Sequence, residues 1–189
     1  MSCIRWLPLG SSGSRSSRSA GNPLEAIHRV HLAAIHTASE RVWLTTPYFV
    51  PTEAAIYALT GAALRGLDVR LLVPEKSDSI FVTAAARSYF DDLIATGVKI
   101  YEYQARMLHS KTMLVDDDLA IVGTANFDNR SFRLNYEVCA VAYGPLLAGN
   151  IEAQFLKDLD KARRVDHQRP QRFGPRLGDS VARLCSPLL

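Results

Sequence analysis

An α/β sandwich around a mixed central sheet is the fold this sequence predicts, and three observations carry it. From residue 22 onward, short runs rich in Val, Ile and Leu alternate with longer segments of helical periodicity. Two of the apolar runs, residues 111–115 and 119–122, are separated only by Asp116-Asp117-Asp118, which reads as the tight turn of a hairpin. Finally, 48% of the 189 residues are apolar, enough to bury a substantial core in one domain.

The elements follow in order. Asn22 caps a first helix with Pro23 at its first position, reaching about Ser39. Residues 42–46 form a strand, 52–64 a helix and 69–73 a strand. Residues 79–95 read as one helix closed by Gly97, and 98–103 as a strand leading toward His109. After the hairpin come a strand over residues 136–142 and a helix from Pro145 to about Arg163. No internal repeat is visible. The chain therefore divides into a Ser/Arg-rich leader at 1–21, without an acidic residue and expected to be disordered, a domain at 22–165, and a basic tail at 166–189. In the tail, Phe173, Leu177, Val181, Leu184 and Leu188 could form the apolar side of a short interfacial helix.

Composition bounds the function. A net charge of +3 makes no demand for a general nucleic-acid partner. The three cysteines, Cys3, Cys139 and Cys185, have neither pairing nor metal spacing and read as reduced thiols. No run approaches the roughly 18 consecutive apolar residues that span a bilayer.

The chemistry concentrates in HSKTMLVDDDLAIVGTANFDNRSFRLNYE, residues 109–137. It spaces an imidazole, an ammonium and a carboxylate as His109-x-Lys111-x4-Asp116, then adds Gly123-x-x-Asn126 and Glu137. On a strand, His109 and Lys111 would share one face about 7 Å apart, a separation that suits a tetrahedral oxyanion between them. Lysine supplies a compact charge with rotatable donors, Asn126 an amide donor, and Gly123 room for close backbone approach. A histidine near neutrality can attack phosphorus or protonate a leaving alkoxide, and Glu137 can fix its tautomer. Asp116 reads more as a brace of the turn than as a substrate contact. Any one of these residues alone has an ordinary packing explanation; the joint pattern points to phosphate.

The His109, Lys111 and Asp116 spacing matches the HxK(x)4D signature of the phospholipase D superfamily, and Gly123-x-x-Asn126 extends the match. TTPYFVP at 45–51, RGLDVRLLVP at 65–74, RSYFDDL at 87–93, GVKIYEY at 97–103 and VGTANFDNRSFRLNYEV at 122–138 resemble one branch. That branch is bacterial cardiolipin synthase, in its C-terminal half. The resemblance implies a phospholipase D-like α/β/α sandwich, one half of the usual two-lobed enzyme. It implies phosphatidyl transfer without metal or cofactor: one histidine attacks a phosphatidylglycerol phosphodiester, and a second protonates glycerol, then activates another phosphatidylglycerol to give cardiolipin. On that pattern the catalytic residues are His109, Lys111 and Asp116. Asn126, Gly123, Ser131 and Tyr48 bind substrate, and Glu137 supports the opposite copy's ring.

No other H-x-K occurs, since Val30, Ala33, Ala38 and Arg169 follow the remaining histidines at that spacing. Half of the implied site is therefore in this chain. A fragment, a separate N-terminal half, or a homodimer with two motifs face to face would each account for that. The implied partner is anionic phospholipid, with peripheral attachment to the cytoplasmic membrane and an otherwise cytoplasmic chain. A homodimeric phosphodiesterase acting on nucleic acid and a catalytically silent half-domain are the alternatives. Three histidines on the first helix, His28, His31 and His36, read as surface or interface groups, and Arg87 as a solvated side chain or a headgroup contact.

Overall fold

The computed structural model describes residues 3–5, 25–105 and 107–166. Asn22, Pro23, most of the leader and the tail beyond Asp166 lie outside them, so the expected cap and the expected interfacial helix are not among the described elements.

In chain order the elements are β1 (Cys3–Arg5), α1 (Ala26–Thr37), β2 (Arg41–Thr45), β3 (Phe49–Val50), α2 (Glu53–Leu64), β4 (Asp68–Pro74), α3 (Ile80–Ser88), α4 (Phe90–Ala95) and β5 (Lys99–Tyr103). Then follow β6 (Thr112–Val115), β7 (Leu119–Gly123), β8 (Phe127–Asp128), α5 (Asn129–Arg133), β9 (Cys139–Tyr143), α6 (Pro145–Leu159) and β10 (Ala162–Arg164). Eight strands form one sheet in the order β1-β9-β7-β6-β2-β4-β5-β10, and β3 and β8 form a small pair beside it. β2, β4 and β5 are parallel, whereas β6, β7, β9 and the two edge strands pair antiparallel. The sheet is mixed because α2 and α3–α4 supply crossovers on one half, while the Asp116–Asp118 turn supplies a hairpin on the other.

Side-chain alternation builds two cores. Val42 and Leu44 of β2, Val69, Leu71 and Val73 of β4, and Met113 and Val115 of β6 pack with α1, α2 and α4 residues such as Ile35, Leu59 and Leu93. On the opposite face Trp43, Leu72 and Leu114 pack with Ala148 and Phe155 of α6, and Trp43 stacks on Phe155 at 4.9 Å.

Several boundaries differ from expectation. The helix expected over residues 79–95 breaks at Tyr89, whose N–H bonds Ala86 O at 3.2 Å while the Ser88 hydroxyl donates to Ala85 O at 2.7 Å. That side-chain bond competes with the helix ladder, and the break seats Tyr89 and Phe90 in the core. The last helix ends at Leu159, and Ala162–Arg164 become an edge strand on β5, anchored by Arg163 to the buried Glu102 at 2.8 Å. The strand expected from residue 136 begins at Cys139. Within the leader, Cys3–Arg5 pair antiparallel with β9.

Candidate active site

The parallel strands β2 and β4 end where β6 begins, so the loops after β2, β4 and β7 gather with residues 104–111 at one rim of the sheet. Crevices at the carboxyl ends of parallel strands are where α/β folds hold ligands. Thr46 ties this rim together: its N–H reaches Leu72 O at 3.1 Å, and its hydroxyl donates to Tyr48 O at 2.8 Å while accepting from Phe127 N–H at 3.0 Å.

His109 and Lys111 lie just ahead of β6, not within it, and His109 is exposed. Buried Leu108 anchors this approach. Lys111 Nζ lies 3.3 Å from both ring nitrogens of His109 and donates to His109 O at 2.9 Å. The two side chains therefore share a side, as their spacing predicts. Partial burial lowers the Lys111 pKa from its ordinary value, against the opposing pull of the Glu137 and Asp128 charges. Two anionic side chains thus stand within electrostatic reach of this ammonium. An ammonium and an imidazole side by side and open to solvent have the chemistry to receive a phosphate.

Glu137 accepts from the Thr124 hydroxyl and from Asn135 Nδ2, the latter at 3.1 Å. It bonds neither His109 nor Lys111 directly.

Asp116 is elsewhere. The whole of β6 separates it from Lys111, and its carboxylate accepts from the N–H groups of Ser39, Glu40 and Arg41 at 3.0, 2.8 and 3.0 Å. Burial raises its pKa, but those three donors and the Arg41 charge outweigh that and hold it below the ordinary carboxylate value. Its positive φ of 51° is one aspartate tolerates. Arg41 completes the brace, bonding Asp116 O at 3.0 Å, Asp117 and Glu152. Asp116 thus welds the far end of β6 to the start of β2.

Tyr48, Asn126 and Ser131 do come together. They line a cleft of about 400 Å³ with Asp78, Asp128, Arg130 and Asn135. Tyr48 Oη donates to Asp78 Oδ1 at 2.5 Å, which pushes the phenol pKa up to about 12. Asp128 caps α5 by accepting from Ser131 N–H at 2.6 Å, and burial raises its pKa. Asn126 N–H bonds Ser131 Oγ at 3.2 Å, while its amide oxygen is buried without a partner among the described residues. Gly123 serves a different approach from the one expected. A Cβ there would stand 2.5 Å from Val138 O and 2.9 Å from Cys139 Cβ, so the glycine admits β9 and not a ligand.

Asp78, Asp128, Arg130 and Asn135 were not singled out by sequence reasoning. Asp128 carried a signal, since Asp-x-x-Ser is the pattern of a capped helix start; Asp78 reaches the cleft only through the loop after β4. Three expectations are corrected. His28 and His31 are buried, not surface groups: His28 stacks on Phe132 at 4.7 Å and bonds Glu25 and Thr52 at 3.0 and 2.9 Å, and His31 Nδ1 bonds Ile27 O at 2.8 Å. Arg87 is neither solvated nor in the cleft, for it bonds Glu102 and Glu75 O, each at 3.0 Å. Among the described residues no group of three or more His, Cys, Asp or Glu side chains could hold a metal ion.

With this geometry in view, comparison with known proteins is direct. The family described as "Cardiolipin synthase, PLD-like domain" matches residues 31–159. The chain belongs to this family. The phospholipase D-like domain is 48% identical over 177 residues to a cardiolipin synthase of Geobacillus sp. (strain WCH70), covering 90% of this chain and 35% of that protein. It is 41% identical over 170 residues to cardiolipin synthase A of Pseudomonas putida, covering 89% of this chain and 35% of that protein. The chain thus spans about a third of the length of these relatives. Among solved structures, the phospholipase D-like fold aligns with Nuc, a phospholipase D family member from Salmonella typhimurium, at TM-score 0.67 and 22% identity, covering 76% of this chain and 93% of that one. It also aligns with phosphatidylserine synthase of Haemophilus influenzae Rd KW20 at TM-score 0.69 and 15% identity, covering 87% and 45%. These two likenesses bear on fold alone.

Proposed function

We propose that this domain is one half of a phosphatidyl-transfer site that converts two phosphatidylglycerols into cardiolipin and glycerol. The observation that carries the reading is the exposed His109–Lys111 pair, set at the rim where the loops after β2, β4 and β7 converge. The family and the near-half identity to cardiolipin synthases favour this chemistry over a phosphodiesterase that transfers to water.

In this reading a histidine nitrogen attacks the phosphorus of the first lipid. The N–P bond forms as the P–O bond to the headgroup glycerol breaks, and a second histidine gives its proton to the departing oxygen. The hydroxyl of the next phosphatidylglycerol then loses its proton to that second histidine and attacks phosphorus, breaking the N–P bond. Lys111 holds the non-bridging oxygens, and Asn126 assists. Asp116 acts at a distance, as the brace that fixes the strand behind Lys111. Glu137 supports the ring contributed by the other half.

The second histidine comes from a partner, either another copy or a separate N-terminal half. Among the described residues, His28 and His31 are committed to the core, and His36 lies at the end of α1 near the start of β2, away from the rim. Exposed Met107, Leu134, Tyr136 and Val138 flank His109 and Glu137 in sequence and supply apolar area for such a partner to cover. The site's substrate places the assembly at a membrane surface. Ile80 and Phe81, 85% and 72% exposed on the first turn of α3 beside the cleft residue Ser79, would rest against lipid. Among the described residues no helix is long and apolar enough to cross a membrane.

Phosphatidylglycerol vesicles incubated with the protein at rising concentration, with cardiolipin and glycerol followed by mass spectrometry, test the proposal. Equal amounts of the two products are expected. Phosphatidic acid in place of cardiolipin would show hydrolysis and overturn the transferase reading.

A further inference from the structure

Asp128 is a charge that the transfer chemistry above leaves unused. It is 4% exposed, and Ser131 beside it is 2% exposed. A carboxylate buried to that degree is costly unless several donors meet it. Its Oδ1 accepts from Ser131 N–H at 2.6 Å. Burial raises its pKa, and hydrogen bonds from the backbone and side chain of Ser131 and from the side chain of Asn126 oppose the rise. Ser131 Oγ in turn accepts from Asn126 N–H at 3.2 Å, which closes a ring of Asn126, Asp128 and Ser131. Capping alone does not call for this, since α5 runs for only 5 residues, Asn129–Arg133, and an exposed asparagine would start it as well.

The ring explains the orphaned oxygen of Asn126. A buried amide oxygen without a partner is costly, and turning the amide over would be the ordinary remedy. Here the turn would set that oxygen against a carboxylate, which only accepts. Asp128 thereby locks the amide with one N–H toward itself and leaves the second N–H for the cleft that Asn126 lines. Asp128 also stands close to Lys111. Thr46, one residue beyond the Thr45–Thr112 pair of β2 and β6 and so next to Lys111, accepts from Phe127 N–H at 3.0 Å. On the other side Gly123 N–H bonds Lys111 O at 3.1 Å. Lys111 Nζ spends its hydrogen bonds among the described residues on His109, while the Glu137 and Asp128 charges act on it against its burial. A carboxylate at that remove sustains the positive charge without occupying its N–H groups.

We infer that Asp128 is a positioning residue for phosphodiester binding, one that orients the Asn126 amide and supports the charge of Lys111. The inference rests on the phosphatidyl-transfer reading above and deepens it. Ser131 belongs to the same device: its N–H and hydroxyl are spent within the ring, so it holds Asn126 in place and does not itself meet the lipid. The charged and titratable groups around Asp128 are Lys111, Glu137 and Tyr48, with Asp78 and Arg130 lining the same cleft.

The test is Asp128→Asn in the full chain, since asparagine keeps the helix cap and loses the charge. Dimethyl phosphate, a soluble phosphodiester, is titrated in and followed by amide-resolved NMR across a range of pH. Below the alkaline limb of binding, Asp128→Asn should weaken the complex about three- to tenfold, the worth of one hydrogen bond. The same change made in Asn126→Ala should cost less than about twofold, because the group it acts through is gone. The alkaline limb, where Lys111 loses its proton, should move to lower pH in Asp128→Asn, whereas loss of a mere cap would leave it in place. Asp128→Ser, a second neutral cap, should move the limb the same way. Unchanged or tighter binding in Asp128→Asn, losses that add in the double variant, or an unmoved limb would each overturn the inference while leaving the transfer reading intact. If dimethyl phosphate leaves the Lys111 and His109 amides of the wild-type chain unmoved, the transfer reading fails together with the inference. Circular dichroism should show Asp128→Asn melting like the wild type.

Discussion

At the residue scale, the signature residues split into two jobs. His109 and Lys111 form the exposed pair at the rim, and Asp116 sits at the other end of β6, holding three N–H groups of the β2 entry. The sequence motif states the spacing of all three and is silent on this division. It is legible only because a strand intervenes, and the Asp116-Asp117-Asp118 run did point to a turn brace. Replacing Asp116 by Asn keeps one acceptor oxygen but loses the charge-assisted bonds. We expect Asp116→Asn to cost about 2 kcal/mol in urea unfolding, with any loss of transfer following that loosening. A variant of unchanged stability but abolished transfer would instead put Asp116 in contact with substrate. Asp78 and Arg130 were not legible as cleft residues, because isolated charges in loops and short helices look solvated until the fold brings them to one cleft.

At the element scale, the alternation of apolar runs gave the order of the main strands and helices, because each strand's two faces are buried against different helices. What it could not give were the breaks. Ser88 ends α3 by a local hydroxyl bond, and residues 162–164 become a strand only because β5 offers an edge and Glu102 a partner. The Gly123 position belongs to this scale too. Gly123→Ala would drive a methyl into Val138 O and the start of β9; we expect a loss of about 1–3 kcal/mol and displacement of the neighbouring Thr124–Glu137 bond. An unchanged melting curve would contradict that packing. In α1, burial lowers the His31 pKa to about 4, with the nearby His28 acting in the same direction and the Ile27 bond opposing. The unfolded chain therefore binds a proton at His31 between pH 6.5 and about 4 that the folded chain refuses. This share of stability is whole above pH 6.5 and drains as pH falls toward 4. Glu25, whose pKa is lowered through its bond to His28, loses its own share only below pH 4.5. We expect denaturant midpoints to decline across that His31 window and His31→Gln to flatten the decline; an identical slope in the variant would contradict this assignment.

At the scale of the whole molecule, the chain is about a third of the cardiolipin synthases it resembles and holds one histidine–lysine pair. The fold and the family were legible in the sequence because the motif, its spacing and the strands around it are contiguous. The other half of the proposed site was not, because no second H-x-K occurs in this sequence. Transfer should accordingly rise faster than linearly with protein concentration if a second copy completes the site, and should appear only on adding the N-terminal half if that does. Steady transfer by a strictly monomeric chain, checked by light scattering at the assay concentration, would sink the two-histidine account. The most direct measurement is cardiolipin formation from phosphatidylglycerol by the assembled protein with His109 intact and with His109→Ala. Formation should fall to the uncatalysed background in the variant while its fold and melting temperature are retained. Cardiolipin still appearing at the unaltered rate would contradict the assignment of His109, and with it the site.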